Sequence, residues 1–268
     1  MKKRILILLV LLLFMAGFFS YRVTIKNLWL ELTSPALPKA VEYQTININT
    51  NSLINGQEQQ ATTSNQITED DKVNLPDSYN LNVPFTSQAP FADWNETFKE
   101  GCEEASALIV HYFYEAKEFT PQIATDEILK MVDWQLENFG GHFDLTAQET
   151  VQMIKEYLGY KKVEVIDNPT VDDIKLQLAE GRPVIIPAAG RMLGNPYFRT
   201  PGPIYHMLVI KGYTETQFIT NDPGTKRGEN FLYDFDVIME AMHNWNEADI
   251  NLGEKNIIII YPKLTTSQ

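Results

Sequence analysis

Cysteine and histidine are scarce in this sequence: one Cys, at position 102, and four His in 268 residues. A lone cysteine excludes an intramolecular disulfide. The Asp, Glu and His residues show no ligand spacing such as His-Glu-x-x-His, so neither a metal nor another cofactor is expected. Basic residues are few as well, 22 Lys and Arg against 35 Asp and Glu, for a net charge of -13. That balance excludes a general nucleic-acid binder, because gripping phosphates needs a basic surface. Five of the cations (Lys2, Lys3, Arg4, Arg22, Lys26) fall within the first thirty residues, where there is no acid, so the rest carries -18. Such a body is soluble and is repelled by anionic lipid. Internal repeats are absent. The one long apolar run, Ile5 to Phe19, has fifteen residues, short of the roughly 20 that span a bilayer. No cysteine follows it, which excludes a lipid-modified thiol there.

What is present divides the chain into four parts. Residues 1–30 read as a membrane anchor or a signal peptide, Lys2-Lys3-Arg4 leading into the apolar run. Small residues at the run's end, Ala16 and Gly17, are preceded two positions earlier by Phe14 and Met15, which makes a poor cleavage site. An uncleaved anchor is therefore the expectation, extended through Tyr21 with Arg22 and Lys26 snorkelling and the basic end inside. Either reading exports the body. Residues 31–80, broken by Pro35 and Pro38 and rich in Asn, Gln, Thr and Ser, read as a disordered polar linker. Residues 81–263 are the folded domain and 264–268 a tail.

Within the domain, periodicity predicts a helix from Cys102 through Phe113 and a second over Thr125–Glu137. A third is expected to open at the capping box of Thr146 and Glu149, and a fourth at Thr170. A short strand is expected over Lys162–Ile166. Strands over Pro183–Ala188, His206–Tyr213, Gln217–Thr220 and Asn256–Tyr261 follow, with a further helix between Asp236 and Asn244. Helices first and strands later predict an α+β fold on a mainly antiparallel sheet.

Cys102 opens its helix in the phrase Gly101-Cys102-Glu103-Glu104-Ala105-Ser106. A thiol there meets unpaired backbone N–H groups and the positive end of the helix dipole, which favour the reactive thiolate. A small buried hydrophobe is the competing reading. A nucleophilic thiol needs a base and a group that orients the base. His111 lies on the same helix too far along to fold back, His243 reads as structural, and His142, after Gly140-Gly141, is a rival base. His206 opens an apolar strand after a Pro- and Gly-rich loop, and sixteen residues later comes Asn221-Asp222-Pro223-Gly224. Adjacent antiparallel strands would bring Asp222 close to His206, although the tetrapeptide alone reads as an ordinary turn. Upstream, Gln88 closes Val83-Pro84-Phe85-Thr86-Ser87-Gln88; its amide and the Cys102 N–H could hold an oxyanion.

These motifs, in this order, resemble the stand-alone relatives of the bacteriocin-processing, double-glycine leader peptidases of the papain-like cysteine peptidase superfamily. The resemblance covers Leu81 to Lys263. It implies a papain-like fold, a cysteine peptidase acting on peptides or proteins without a cofactor, Cys102 as nucleophile, His206 as general base and acid, Asp222 as its orienting residue and Gln88 as oxyanion donor. The chain departs from the pattern in having Glu103-Glu104 where a Gly-Pro-like pair is common; these acids are expected at a substrate-facing rim that selects basic substrates. It carries no ATP-binding cassette, so coupling to leader export is not implied. The working expectation is an extracytoplasmic thiol peptidase. A cell-wall peptide amidase with the same chemistry and an inert peptide-binding domain are the alternatives.

Overall fold

The computed structural model describes residues 36–43 and 75–263. The N-terminal segment expected to be an anchor and the tail over 264–268 lie outside the described residues. Among the described residues no helix is long and apolar enough to cross a membrane.

Four helices, within residues 96–156, lie between the two-residue strand at 79–80 and the rest of the sheet, and a fifth follows the strand at 163–167. Helix α1 (Glu96–Lys99) is short and is capped by Asn95, whose side chain accepts from the Phe98 N–H. Helix α2 (Cys102–Tyr114) begins at the cysteine, as its apolar spacing predicts. Helix α3 (Pro121–Asn138) starts four residues earlier than expected, because Thr120 caps it and Pro121 fits its first turn, where no N–H is needed. Helix α4 (Ala147–Glu156) opens at the predicted box: Thr146 Oγ1 accepts from the Glu149 N–H and Glu149 accepts from the Thr146 N–H. Helix α5 (Val171–Ala179) uses Thr170 and Asp173 in the same way.

The strands are β1 (Tyr79–Asn80), β2 (Val163–Asp167), β3 (Val184–Ala189), β4 (Tyr205–Tyr213), β5 (Gln217–Asn221), β6 (Phe231–Asp234) and β7 (Asn256–Ile260), with helix α6 (Phe235–Ala241) between the last two. They form one sheet in the order β2-β7-β3-β4-β5-β6, and β1 joins β4 at Tyr213 and Gly212. Every pairing is antiparallel. The α+β expectation holds. Strand β4 is buried along all nine residues, which explains its continuous apolar sequence: a strand covered on both faces has no polar alternation to show.

The short elements that the sequence pattern does not show include helix α1 and two strands. Strands β1 and β6 have two and four residues, too few for a period of two to register. The linker also needs correcting at both ends. Tyr43 packs its ring on Phe113 and Tyr114. Val41 bridges to Leu81, and Asn80 donates to the Pro38 carbonyl. Residues 38–43 and 75–80 therefore belong to the domain, held by pairing and aromatic burial that their polar surroundings conceal.

Helix α2 lies on β4, and one buried hydrogen bond ties them: Ser106 Oγ donates to the Met207 carbonyl at 3.1 Å. Cys102 sits one helical turn before Ser106 and His206 is the residue before Met207, so this contact fixes the spacing between the two. Ser106→Ala should cost about 1 kcal/mol, and Ser106→Val, which overpacks a fully buried contact, about 1–3 kcal/mol, measured by chemical denaturation.

Candidate active site

His206 and Asp222 come together because β4 and β5 pair in register, Val209 opposite Asn221, so that the residue after β5 reaches back to the start of β4. His206 Nε2 lies 2.7 Å from Asp222 Oδ1. Both residues are buried. The carboxylate has other donors: Tyr233 Oη at 2.6 Å and Asn195 Nδ2 at 2.9 Å on Oδ2, and the Gly224 N–H at 2.9 Å on Oδ1. Burial works to raise the Asp222 pKa, but His206, Tyr233 and the Gly224 N–H outweigh it and hold the group below the usual aspartate value. Asp222 is thus an ionised acceptor for one imidazole nitrogen, and Nδ1 remains free of hydrogen-bond partners among the described residues.

Cys102 is also buried, and its thiol donates to Glu103 Oε2 at 3.0 Å. The expected thiolate-favouring site is not what forms. Burial raises the Cys102 pKa well above the usual thiol value, with the neighbouring charges of Glu103, Asp144 and Glu104 adding to the rise. Desolvation outweighs the helix dipole because the whole first turn of α2 is covered. No hydrogen bond joins the thiol to His206 in this state.

The acidic pair after the cysteine corrects a second expectation. Glu103 and Glu104 are only 1% and 0% exposed and do not line the cleft, so they form no substrate-facing rim. Glu103 Oε1 accepts from the Leu145 N–H at 2.9 Å. Glu104 Oε1 is held by Gln135 and stands 3.1 Å from His142 Nε2. Burial, then Glu104 and Asp144, pushes the Glu103 pKa well above the carboxylate range. In the sequence these acids look solvent-facing; the segment from Gln135 to Leu145, folded over the helix start, buries them.

The same contacts dispose of the rival histidines. His142 is engaged with Glu104 and lies outside the cleft lining. His111 Nδ1 pairs with Tyr160 Oη, and His243 Nδ1 with the Gly253 carbonyl, each at 3.0 Å.

Gln88, Cys102 and His206 open onto one cleft of about 700 Å³. Gln88 faces it in an unexpected pose. Its Nε2 donates to the Phe98 and Lys99 carbonyls at 3.0 and 2.9 Å, and its Oε1 is buried without a partner. Both amide hydrogens thus pin the end of α1, two residues before Gly101-Cys102, and neither is free for an oxyanion. The free donor at that spot is the backbone N–H of Cys102, which as the first helical residue has no intrahelical acceptor. Sequence reading missed Tyr233, Asn195 and Asp144, which no local motif marks; Gly224 was visible only as part of a turn. Among the described residues, no group of three or more His, Cys, Asp and Glu is arranged to hold a metal ion.

A family model described as the Peptidase_C39 like family matches residues 80–249. A crystal structure of a C39-like peptidase from Bacillus anthracis is similar at 16% sequence identity and a TM-score of 0.46, over 68% of this chain and 96% of that chain. No curated protein matches the sequence.

Asp144 lines the cleft beside the acids of the helix start, and its pKa is raised to about 7 by burial and by Glu100, His206 and His142 opposing in part. A carboxyl whose folded pKa lies above its unfolded one favours the fold at low pH and opposes it as pH rises through the folded pKa. Asp144→Asn should therefore stabilise the protein increasingly between about pH 4 and pH 7 and by a constant amount above. Denaturation at pH 8 should give a gain on the order of 2 kcal/mol, after allowing for the solvated part of the side chain.

Proposed function

Because the chain belongs to the C39-like peptidase family, we propose that it is a cysteine peptidase in which Cys102, His206 and Asp222 are nucleophile, acid–base and orienting carboxylate. The observation that carries this reading is the His206–Asp222 pair on the cleft onto which Cys102 opens. Asp222 accepts from Nε2, so Nδ1 is the nitrogen left to exchange protons.

The cycle begins with a protonated thiol. Cys102 Sγ turns from Glu103 toward His206, gives its proton to Nδ1 and attacks the amide carbonyl. The C–S bond forms as the carbonyl π pair moves onto oxygen. The oxyanion is received by the Cys102 N–H at the helix start, where the dipole adds a favourable field. When the intermediate collapses, the C–N bond breaks and the leaving amine takes the proton from Nδ1. Water, deprotonated by Nδ1, then hydrolyses the thioester, and Sγ leaves to recover the proton. Asp222 stabilises the imidazolium at both stages. Gln88 contributes by holding the carbonyls of α1, which sets the approach of Gly101 to the helix; donating to the oxyanion would require its amide to release them. Because burial, and then Glu103, keeps the resting thiol protonated, proton transfer and attack are coupled, and no standing thiolate–imidazolium pair is needed.

The substrate class follows from the family: peptides or proteins. We further propose that the domain works on the extracytoplasmic side of a membrane, on the support of Lys2-Lys3-Arg4 followed by the apolar run to Phe19.

Two experiments test these readings. Hydrolysis of a peptide library and of muropeptides, followed by mass spectrometry, should vanish in Cys102→Ala and fall at least about 10³-fold in His206→Ala and about 10²–10⁴-fold in Asp222→Ala. Cleavage by Cys102→Ala at the wild-type rate overturns the nucleophile, and activity on muropeptides alone favours the wall amidase. For the location, protease added to intact spheroplasts should digest the domain; protection until the cells are lysed overturns the export reading.

A further inference from the structure

In a chain of net charge -13, three exposed cations gather on one wall of the cleft: Arg199, Lys226 and Arg227. None has a carboxylate within 4.0 Å among the described residues. Unpaired cations on an acidic protein carry a field that its own surface does not neutralise.

Their loops are locked to His206. An added Cβ at Gly224 would stand 2.8 Å from His206 Cε1 and 2.8 Å from Phe198 Cε1, so the backbone just before Lys226 runs against the imidazole with room for glycine only. The Gly224 N–H also donates to Asp222. Phe198, the neighbour of Arg199, meets the His206 ring edge-on with centroids 5.3 Å apart. The Arg227 guanidinium rests 4.9 Å over the Tyr197 ring, a contact that pre-orders it at little cost. The acids of the cleft belong to the other partner of the reaction: Glu100 lies two residues before Cys102, and Asp144 precedes Leu145, whose N–H binds Glu103.

His206 passes its proton to the leaving amine, so the groups fixed around it face the part of the substrate C-terminal to the scissile bond. We propose that this wall is a subsite for an acidic peptide segment on the leaving-amine side, its Asp or Glu side chains received by Arg199, Lys226 and Arg227. The assignment rests on the cysteine-peptidase reading for its orientation. It gives the enzyme a charge-based selection opposite in sign to that expected from Glu103 and Glu104. Electrostatic complementarity of this kind adds to encounter rate and selectivity and weakens with salt.

The test uses the full chain on a proteome-derived peptide library. Residues just after the cut should be enriched in Asp and Glu, about threefold or more over the library. In the triple variant R199E/K226E/R227E the enrichment should pass to Lys and Arg, and in the milder R199Q/K226Q it should shrink while cleavage continues. Unchanged preferences in the R199Q/K226Q variant overturn the subsite. If wild type cuts nothing, the peptidase reading fails separately, and binding decides the charge proposal. Cys102→Ala protein should bind a fluorescent Glu-rich peptide about tenfold more tightly than its Gln counterpart at low salt, the gap closing by about 0.5 M salt. Equal binding of the two peptides, or stronger binding of an anionic glycopolymer fragment, overturns it.

Discussion

The buried carboxylate of Asp222 is the constraint around which the sheet's open end is arranged. A lone carboxylate in the protein interior costs several kcal/mol and survives only if its oxygens are fully engaged. Here four donors engage it, and each comes from a different stretch of chain: His206 at the start of β4, Tyr233 in β6, Asn195 after the turn that follows β3, and Gly224 in the turn after β5. Removing any one leaves the buried carboxylate short of a donor. The network therefore locks strand register, the turn and the imidazole's tautomer together, and it leaves His206 Nδ1 as the free ring nitrogen. The cleft inherits its rigidity from the same source, because the loops at residues 197–199 and 224–227 lean on the His206 ring.

The other half of the site obeys a different rule. Cys102 and Glu103 share a covered helix start with Glu104 and Asp144, where repulsion among acids and lack of water both favour the protonated forms. One hydrogen-bonded contact between the thiol and the Glu103 carboxyl group is how such a cluster meets its polar needs. On the proposed cysteine-peptidase reading, the base is pre-organised and the nucleophile is held in reserve. Each of the two is hydrogen-bonded to its own carboxyl partner, Cys102 to Glu103 and His206 to Asp222, and no hydrogen bond joins them.

Much of this was legible in the sequence wherever the cause is local. Thr146-x-x-Glu149 and Thr170-x-x-Asp173 announce helix starts because a cap and its third residue satisfy each other's N–H groups. The unbroken apolar run of β4 announces burial on both faces. The His206–Asp222 pair was readable because two strands joined by a short turn leave few registers. What could not be read depends on chain that arrives from far away. Glu103 and Glu104 look exposed until the segment ending at Leu145 covers them, and the tail of Gln88 cannot be aimed without knowing that the α1 carbonyls lie within its reach. The cations on the cleft wall show no pattern in the sequence for a related reason: Arg199 and Lys226 are 27 positions apart, and only the fold brings them to one cleft.

The contact between Cys102 and Glu103 has a chemical consequence outside turnover. Peroxide and other oxidants attack the thiolate, and the ladder to sulfenic and sulfinic acid begins there. A sulfur kept protonated, buried and bonded to a carboxylate offers them almost nothing to attack. With no second cysteine to resolve a sulfenic acid and return it to the thiol, the first oxidation would be hard to undo. On the cysteine-peptidase reading, the acidic pocket at the helix start therefore also keeps the single sulfur reduced between substrates, at some loss of reactivity.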